Sequence, residues 1–421
     1  MAQPPIDPAL ARHAATAIVE TLAAHGHLAY FAGGCVRDEL LGHAPSDYDV
    51  ATDATPDRLK SLFKRTNLVG AAFGVVLVSL DHAVVEVATF RSDGTYTDKR
   101  RPDAVTFSSP AEDAARRDFT VNALYLDPLA RDRAKAAAES PLGGTVIDLV
   151  DGLRDVRARV IRAVGDPDRR LAEDHLRALR AVRLSSRLGF TIEDRTADAI
   201  RRHASSLVGV SAERIGDEIR RMMSHPSRAK AARRLSDLEL DRSILRNHSL
   251  DGEPATLTGL PPTASFPLAL SAWAVDLRLA SPVPTAACPI FRRSLCLSNA
   301  EHEECRHILE TWHDLIHIWP SAGVAQRKRI AGQNVMEAAC VLLNQTHTKL
   351  AAAVATEHGR LSATPSGISP TPLVTGDDLI AAGIPAGPRY KQILDEIYDA
   401  QLEDRVVDRA QALELARRLG V

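Results

Sequence analysis

Apolar residues along this chain first recur at helical spacing. Leu10, Ala14, Ile18 and Leu22 fall four apart among polar residues, so residues 8–25 are expected to form an amphipathic helix. The period then shortens to two, and strands are expected over 28–32, 47–51, 74–80, 83–90 and 119–126. Gly74-Val75-Val76-Leu77-Val78 and Ala83-Val84-Val85-Glu86-Val87 flank Asp81-His82, which reads as a tight hairpin. Between the second and third strands, Pro56 to Arg65 reads as a helix with Thr55 as its N-cap. After Val146-Ile147-Asp148-Leu149-Val150 the strand pattern fades, and helices are expected from Arg169 to the end. The expected architecture is a small mixed α/β sheet with a few helices, followed by all-helical domains.

Composition narrows this picture. A length of 421 residues suits two to four domains. Ala, Leu and Arg dominate and aromatics are 4%, which favours helix. The formal net charge is −2, so nucleic acid would have to meet a local basic patch rather than a global field. Cys35, Cys288, Cys296, Cys305 and Cys340 form no CxxC pair, which points to reduced thiols rather than a disulfide framework or zinc site. No apolar run reaches membrane-spanning length, and Met1 to Leu10 lacks a signal-peptide pattern; a cytoplasmic location is expected. Pro-rich stretches near 253–267 and 281–289, and the Ser, Thr, Gly and Pro-rich Ser362 to Pro372, read as linkers. Residues 131–143 read as a charged surface insertion, and 91–107 opens as a long polar loop, either surface decoration or a mobile cover.

Candidate chemistry concentrates near residue 40. Asp47-Tyr48-Asp49 would place two carboxylates on one face of a strand, where they repel unless a hard divalent cation such as Mg²⁺ sits between them. Upstream, the strand Leu28 to Ala32 runs into Gly33-Gly34 and then a short helical stretch with Arg37 in its first turn. A glycine turn opening a helix presents backbone N–H groups suited to phosphate. Strand, glycine turn, arginine and paired aspartates together make a layout for a metal-bound triphosphate. Glu86, between Val85 and Val87, is the natural third carboxylate, or else an edge-strand residue facing solvent.

Gly33-Gly34-Cys35-Val36-Arg37-Asp38 with Asp47-Tyr48-Asp49 resembles the first motif of the class II tRNA nucleotidyltransferase and bacterial poly(A) polymerase family. Further stretches match in order: Val85 to Arg91, Arg116 to Ala123, Gly165-Asp166-Pro167 with Arg170, Glu173-Asp174-His175-Leu176-Arg177, and more weakly Ser211 to Glu218. The resemblance implies a polymerase-beta-like nucleotidyltransferase head over 1–155. It also implies a helical, base-binding neck over 156–225, a helical body over 226–330 and an RNA-binding tail over 331–421. It implies Mg²⁺ on Asp47 and Asp49, with Glu86 as a third catalytic carboxylate. Gly34, Arg37 and Arg117 are assigned to the triphosphate; Arg117 and Asp118 are placed at the same end of the sheet as the aspartates, and Asn122 is a candidate for the ribose hydroxyl. In the helical second half, Arg327-Lys328-Arg329 could touch phosphate, though a solvated charge run is the commoner use.

Asp174 and Arg177 sit three apart on a strongly helical stretch, so they are expected on one face. Alone they would be a surface salt bridge. The resemblance implies instead that they read the base. Cytosine and adenine both offer an amino donor beside a ring-nitrogen acceptor, which a carboxylate and a guanidinium complement; uracil and guanine do not. Arg180 can stay near the nucleotide, whereas Arg183 drifts roughly opposite Asp174, although the family pattern binds nucleotide at both. His302, His307, His313 and His317 near Trp312 read as helix histidines rather than a metal centre.

Poly(A) polymerases of this type usually carry Gly-Arg-Arg-Phe ahead of the Glu86 strand and a basic C-terminal region. This chain has Gly70-Ala71-Ala72-Phe73-Gly74-Val75-Val76 and a pI near 6.7. The full-length 91–107 loop further favours CCA addition to tRNA from CTP and ATP. CC-only addition, A-only addition and poly(A) synthesis are the alternatives.

Overall fold

The computed structural model describes residues 7–68, 74–80, 83–94, 105–130, 143–384 and 389–419. The chain forms two compact units: Met1–Glu218 with Arg234–Ile244, and Ile219–Arg233 with Leu245–Val421.

The first unit opens with α1 (Pro8–Ala24), whose Ala14, Ala15, Ile18, Val19 and Leu22 are buried. Leu10, expected on that face, is exposed because it sits in the first turn. There follow β1 (Ala29–Ala32), α2 (Gly34–Leu40), β2 (Asp49–Thr52), α3 (Pro56–Leu62), β3 (Thr66–Leu68), β4 (Val75–Leu80) and β5 (Ala83–Thr89). Thr55 caps α3 through the Arg58 N–H, as its position before Pro56 predicts. That helix stops three residues before Arg65, and the unanticipated β3 follows. Next come β6 (Arg91–Asp93), β7 (Val105–Phe107), α4 (Pro110–Ala115), β8 (Tyr125–Asp127), β9 (Thr145–Ile147), α5 (Gly152–Ala158) and β10 (Val160–Ile161). Residues 167–223 supply α6 (Pro167–Glu173), α7 (Arg177–Leu188), β11 (Thr191–Ile192), α8 (Asp194–His203) and α9 (Ala212–Met223), the last running across the boundary at Glu218. The parallel pair β10–β11 interrupts a region expected to be wholly helical.

The sheet order is β3-β4-β5-β2-β1-β8-β9. Within it β2 and β5 run parallel, and the other neighbours are antiparallel. On β5, Ala83, Val85 and Val87 point into the core while Val84 and Glu86 point out, the period-two alternation read from sequence. Tyr30, Phe90 and Tyr125 pack together beneath β1 with ring centroids 6.0–6.3 Å apart. The expected strand 119–126 is wrong. Thr120–Asn122 is a 3₁₀ turn, and only Tyr125–Asp127 joins the sheet.

The second unit is helical. Its helix Phe266–Asp276 is apolar all round and buried, with Trp273 stacked on Phe291 at 5.7 Å. Ser265 caps it and Pro267 lies in its first turn, so part of the expected 253–267 linker is a helix start. A separate C-terminal core gathers Val374, Leu379, Ile393, Ile397, Ala412 and Ala416. Among the described residues, no helix is long and apolar enough to cross a membrane.

Candidate active site

The turn between β1 and α2 requires glycine. Gly33 has φ 78°, and a Cβ there would stand 3.1 Å from the Arg117 guanidinium and 3.4 Å from the Asn122 carbonyl. Its N–H donates to the Leu124 carbonyl at 2.9 Å, which fixes the turn against the 3₁₀ segment. The N–H groups that open α2 have no acceptor within the helix, so they form an electropositive end. A Cβ on Gly34 would meet only Arg37, at an ordinary 3.6 Å. Gly34 thus leaves that end uncovered rather than relieving strain.

The carboxylates gather beside this turn. Asp49 opens β2, while Asp47 lies just before it rather than within a strand as expected. The alternation nevertheless holds: Tyr48 is buried, and Asp47 and Asp49 are exposed. Parallel pairing sets Asp49 level with Glu86 on β5. Because β5 is flanked by β4 and β2, Glu86 projects from the middle of the sheet and not from an edge. Solvent reaches Asp49, yet protein crowds it on most sides. Burial, then Glu86 and Asp47, push its carboxyl up to about 7, and Arg117 pulls the other way. Glu86 is also raised, by burial and then by Asp47, with Arg91 opposing. Asp49 and Glu86 thus both hold their protons more tightly than usual, and a divalent cation relieves that kind of crowding.

A polar chain runs away from the glycine turn. Arg37 is buried, donates through Nε and Nη2 to Asp38 Oδ1 at 2.8 and 2.7 Å, and donates through Nη1 to Asn122 Oδ1. Asn122 in turn donates to Asp118 Oδ1 at 3.3 Å. Asp118 Oδ2 accepts from Arg180 on α7 at 2.7 Å. Burial alone would raise Asp118; Arg180 overrides it and holds the carboxyl down at about 2. Arg117 donates to Asp113 Oδ2 at 3.1 Å and to the Asn122 carbonyl at 3.0 Å, and lies 4.9 Å over the Tyr125 ring. Asp113 was not singled out in the sequence. It is fully buried and accepts from Arg116, Arg117 and the Tyr125 hydroxyl. Burial opposes its charge, and the two arginines keep its pKa low. Its signal was its place four residues ahead of Arg117, at helical spacing.

Asp174 and Arg177 do not share a helix face. α6 ends at Glu173, and Asp174 is extended, with φ −149° and ψ 105°, in a break before α7 begins at Arg177. Asp174 Oδ1 accepts the Leu176 N–H at 3.1 Å and Oδ2 accepts from Arg214 at 2.7 Å. Arg177 is buried and donates to Glu173 Oε2 and the Arg170 carbonyl, both at 2.7 Å. Continuous helical periodicity hid the break. Arg183 does not point to a free surface either: it donates to Glu218 at 2.6 Å. Arg214 and Glu218, from the weakest motif, therefore brace the segment that carries Asp174, Arg177, Arg180 and Arg183.

The remaining sequence candidates have partners within the protein. Lys328 is fully buried and donates to Thr364 and Ser366 at 2.5 and 2.7 Å. Arg327 pairs with Glu357 and Arg329 with Asp399, so this triplet is not a solvated run. The His313 and His317 rings lie 4.4 Å apart on one helix, tilted at 46° to each other. Among the described residues no three His, Cys, Asp or Glu side chains form a group able to hold a metal by themselves. The Asp81-His82 turn, the 70–73 stretch, most of the 91–107 loop and nearly all of the 131–143 insertion lie outside the described residues.

A glycine turn on a helix end, beside carboxylates on two parallel strands, is the layout of a nucleotidyltransferase. The head-domain model of poly(A) polymerases matches residues 29–162, and a model described as a probable RNA- and SrmB-binding site of polymerase A matches 189–250. The chain is 35% identical to the CCA-adding enzyme of Lacticaseibacillus paracasei over 412 residues, 97% of this chain and 95% of that one; it belongs to the CCA-adding enzyme family. With the Levilactobacillus brevis enzyme identity is 47% over 209 residues, 49% of each chain. The crystal structure of the Bacillus stearothermophilus CCA-adding enzyme in complex with CTP superposes with a TM-score of 0.76 at 29% identity, covering 99% of this chain and 98% of that one.

Proposed function

We propose that this enzyme adds CCA to the 3′ end of tRNA, using CTP and ATP and no nucleic-acid template. The end-to-end match to a CCA-adding relative carries this reading. In each cycle the tRNA 3′ hydroxyl attacks the α-phosphorus of the nucleotide, a new P–O bond forms, and pyrophosphate leaves. The α2 N-terminus with Gly34, together with Arg37 and Arg117, binds the triphosphate. Asp118 and Asn122 border the ribose. Asp174 accepts from the base amino group, and Arg177 donates to the ring nitrogen, so cytosine and adenine fit. Arg180 and Arg183 hold α7 against the head and against α9.

Asp47 and Asp49 would hold Mg²⁺, which when bound neutralises triphosphate charge and activates the attacking hydroxyl. The donor set fits a hard cation: carboxylate oxygens only, with Asp49 crowded by Glu86 and Asp47 so that its carboxyl is pushed up. Two carboxylates leave places for triphosphate oxygens, the usual way Mg²⁺ is shared with nucleotides. Glu86 adds negative charge beside them. The head over 1–155 and neck over 156–225 would hold the nucleotide, and the body over 226–330 and tail over 331–421 would lie along tRNA in the cytoplasm.

The test is to incubate the enzyme with radiolabelled CTP or ATP and a tRNA lacking its 3′ end, then sequence the products. CCA ends are expected. A-only extension of tRNA ending in CC, arrest after CC, or long A tails on unstructured RNA would each replace this reading with one of its alternatives.

A further inference from the structure

Behind the two aspartates lies a side-chain cluster that the reaction scheme does not use. Tyr48 stands between Asp47 and Asp49, turned the opposite way, and is 5% exposed. Its hydroxyl donates to Glu39 Oε1 on α2. The same oxygen accepts from Arg12 Nε on α1 at 2.8 Å. The Arg12 guanidinium sits 5.6 Å over the Phe31 ring, and Phe31 meets the Tyr48 ring edge-on at 5.3 Å. Phe31 itself faces Val50 across the β1–β2 pair. Glu39 Oε2 is buried with no hydrogen-bond partner.

One carboxylate thus joins three elements. Glu39 belongs to the helix whose first turn is assigned to the triphosphate; Tyr48 lies between the two aspartates in the segment that leads into β2; Arg12 anchors them to α1. A carboxylate with one oxygen shared by two donors and the other buried without a partner is a costly arrangement for packing alone. It fixes the spacing of the α2 N-terminus from the aspartates, and a cation held by those aspartates beside a triphosphate would depend on that spacing.

We propose that Tyr48, Glu39 and Arg12 are positioning residues that set Asp47 and Asp49 for the divalent cation; this rests on the reading of those aspartates as its ligands. Tyr48→Phe keeps the ring and removes only the O–H. Glu39→Gln keeps an acceptor and removes the charge that holds Arg12. Binding of Mn²⁺ to the full-length protein, without nucleotide, can be followed by the loss of the free-ion electron paramagnetic resonance signal. Thermal unfolding is measured in parallel in metal-free buffer. The expected result is a Mn²⁺ dissociation constant raised about three- to tenfold in Tyr48→Phe, with metal-free Tm nearly unchanged, and raised in Glu39→Gln as well. Wild-type Mn²⁺ affinity in both variants would overturn the proposal, whatever their Tm. Asp47→Ala separates the two levels. If it abolishes Mn²⁺ binding while Tyr48→Phe does not alter it, only the positioning role fails. If Asp47→Ala binds Mn²⁺ like wild type, the cation-ligand reading fails and the positioning role with it.

Discussion

Replacing Asp174 with alanine tests how the base is chosen. The side chain has two protein partners: its own turn through Leu176 N–H at 3.1 Å, and Arg214 at 2.7 Å. The ion pair is largely shielded, with side-chain exposures of 16% for Asp174 and 20% for Arg214. Removing one member of a fully buried pair costs about 3–5 kcal/mol; partial exposure lowers that to about 2–3 kcal/mol here. If the same carboxylate also accepts the base amino group, a comparable loss falls on the transition state, a drop of roughly 30- to 160-fold in C and A incorporation. Uracil and guanine, which put a carbonyl where the amino group should be, lose a repulsive neighbour, so their relative rates should rise. Single-turnover incorporation of all four nucleotides onto tRNA lacking CCA measures both effects. Arg214→Ala, assayed alongside, isolates the part that comes from the broken ion pair. If Asp174→Ala lowers all four rates equally, or matches Arg214→Ala in its preference profile, Asp174 is an anchor for α9 and the base is read elsewhere.

Asp47→Ala or Asp49→Ala is expected to abolish incorporation while leaving the circular dichroism spectrum and Tm near wild type; near-normal activity in either would remove them from the metal site. The two glycines should separate: Gly33→Ala, forced to φ 78° with its Cβ 3.1 Å from Arg117, should lower stability by roughly 1–3 kcal/mol, seen as a reduced Tm. Gly34→Ala, with only Arg37 at 3.6 Å, should spare Tm and raise the KM for CTP. Lys328→Met should keep or raise Tm at pH 7, since burial lowers the lysine pKa and the charge is unfavourable inside. The sign follows: the unfolded chain holds that proton to higher pH than the native one, so wild-type stability gains relative to the variant as pH climbs toward the usual lysine value near 10.5. A Tm several degrees below wild type at pH 7 would mean that the bonds to Thr364 and Ser366 outweigh the desolvation.

Local rules carried much of the head in the sequence. The α1 pattern, the Thr55 cap and the β5 alternation follow from spacing alone, and the Asp47–Asp49 face survives even though Asp47 precedes the strand. Rules that need tertiary partners fell short. Residues 119–126 are apolar enough for a strand, but Gly33 and Arg117 bond the backbone at 122 and 124, which favours a 3₁₀ turn. The break at Asp174 is held by Arg214, forty residues downstream in the chain, and no local pattern encodes it. Asp113 and Glu39 were passed over because an acidic residue on a short helix ordinarily faces water; their burial depends on arginines whose positions only the fold reveals. Lys328 is the converse, a residue in a basic triplet whose neighbours find carboxylates while it turns inward.

The order of strands in the sheet bears on how the enzyme is made. β1 emerges early from the ribosome, but one of its neighbours, β8, begins only at Tyr125, and the arginine that secures Asp118 is residue 180. Until that much chain has been synthesised, β1 has a bare edge and the glycine turn lacks its backing. Pairings so distant in sequence form slowly and late. The nascent head should therefore gain its nucleotide site in one step once Arg180 has appeared. An N-terminal fragment ending before Tyr125 should expose a sticky strand edge and call on chaperones.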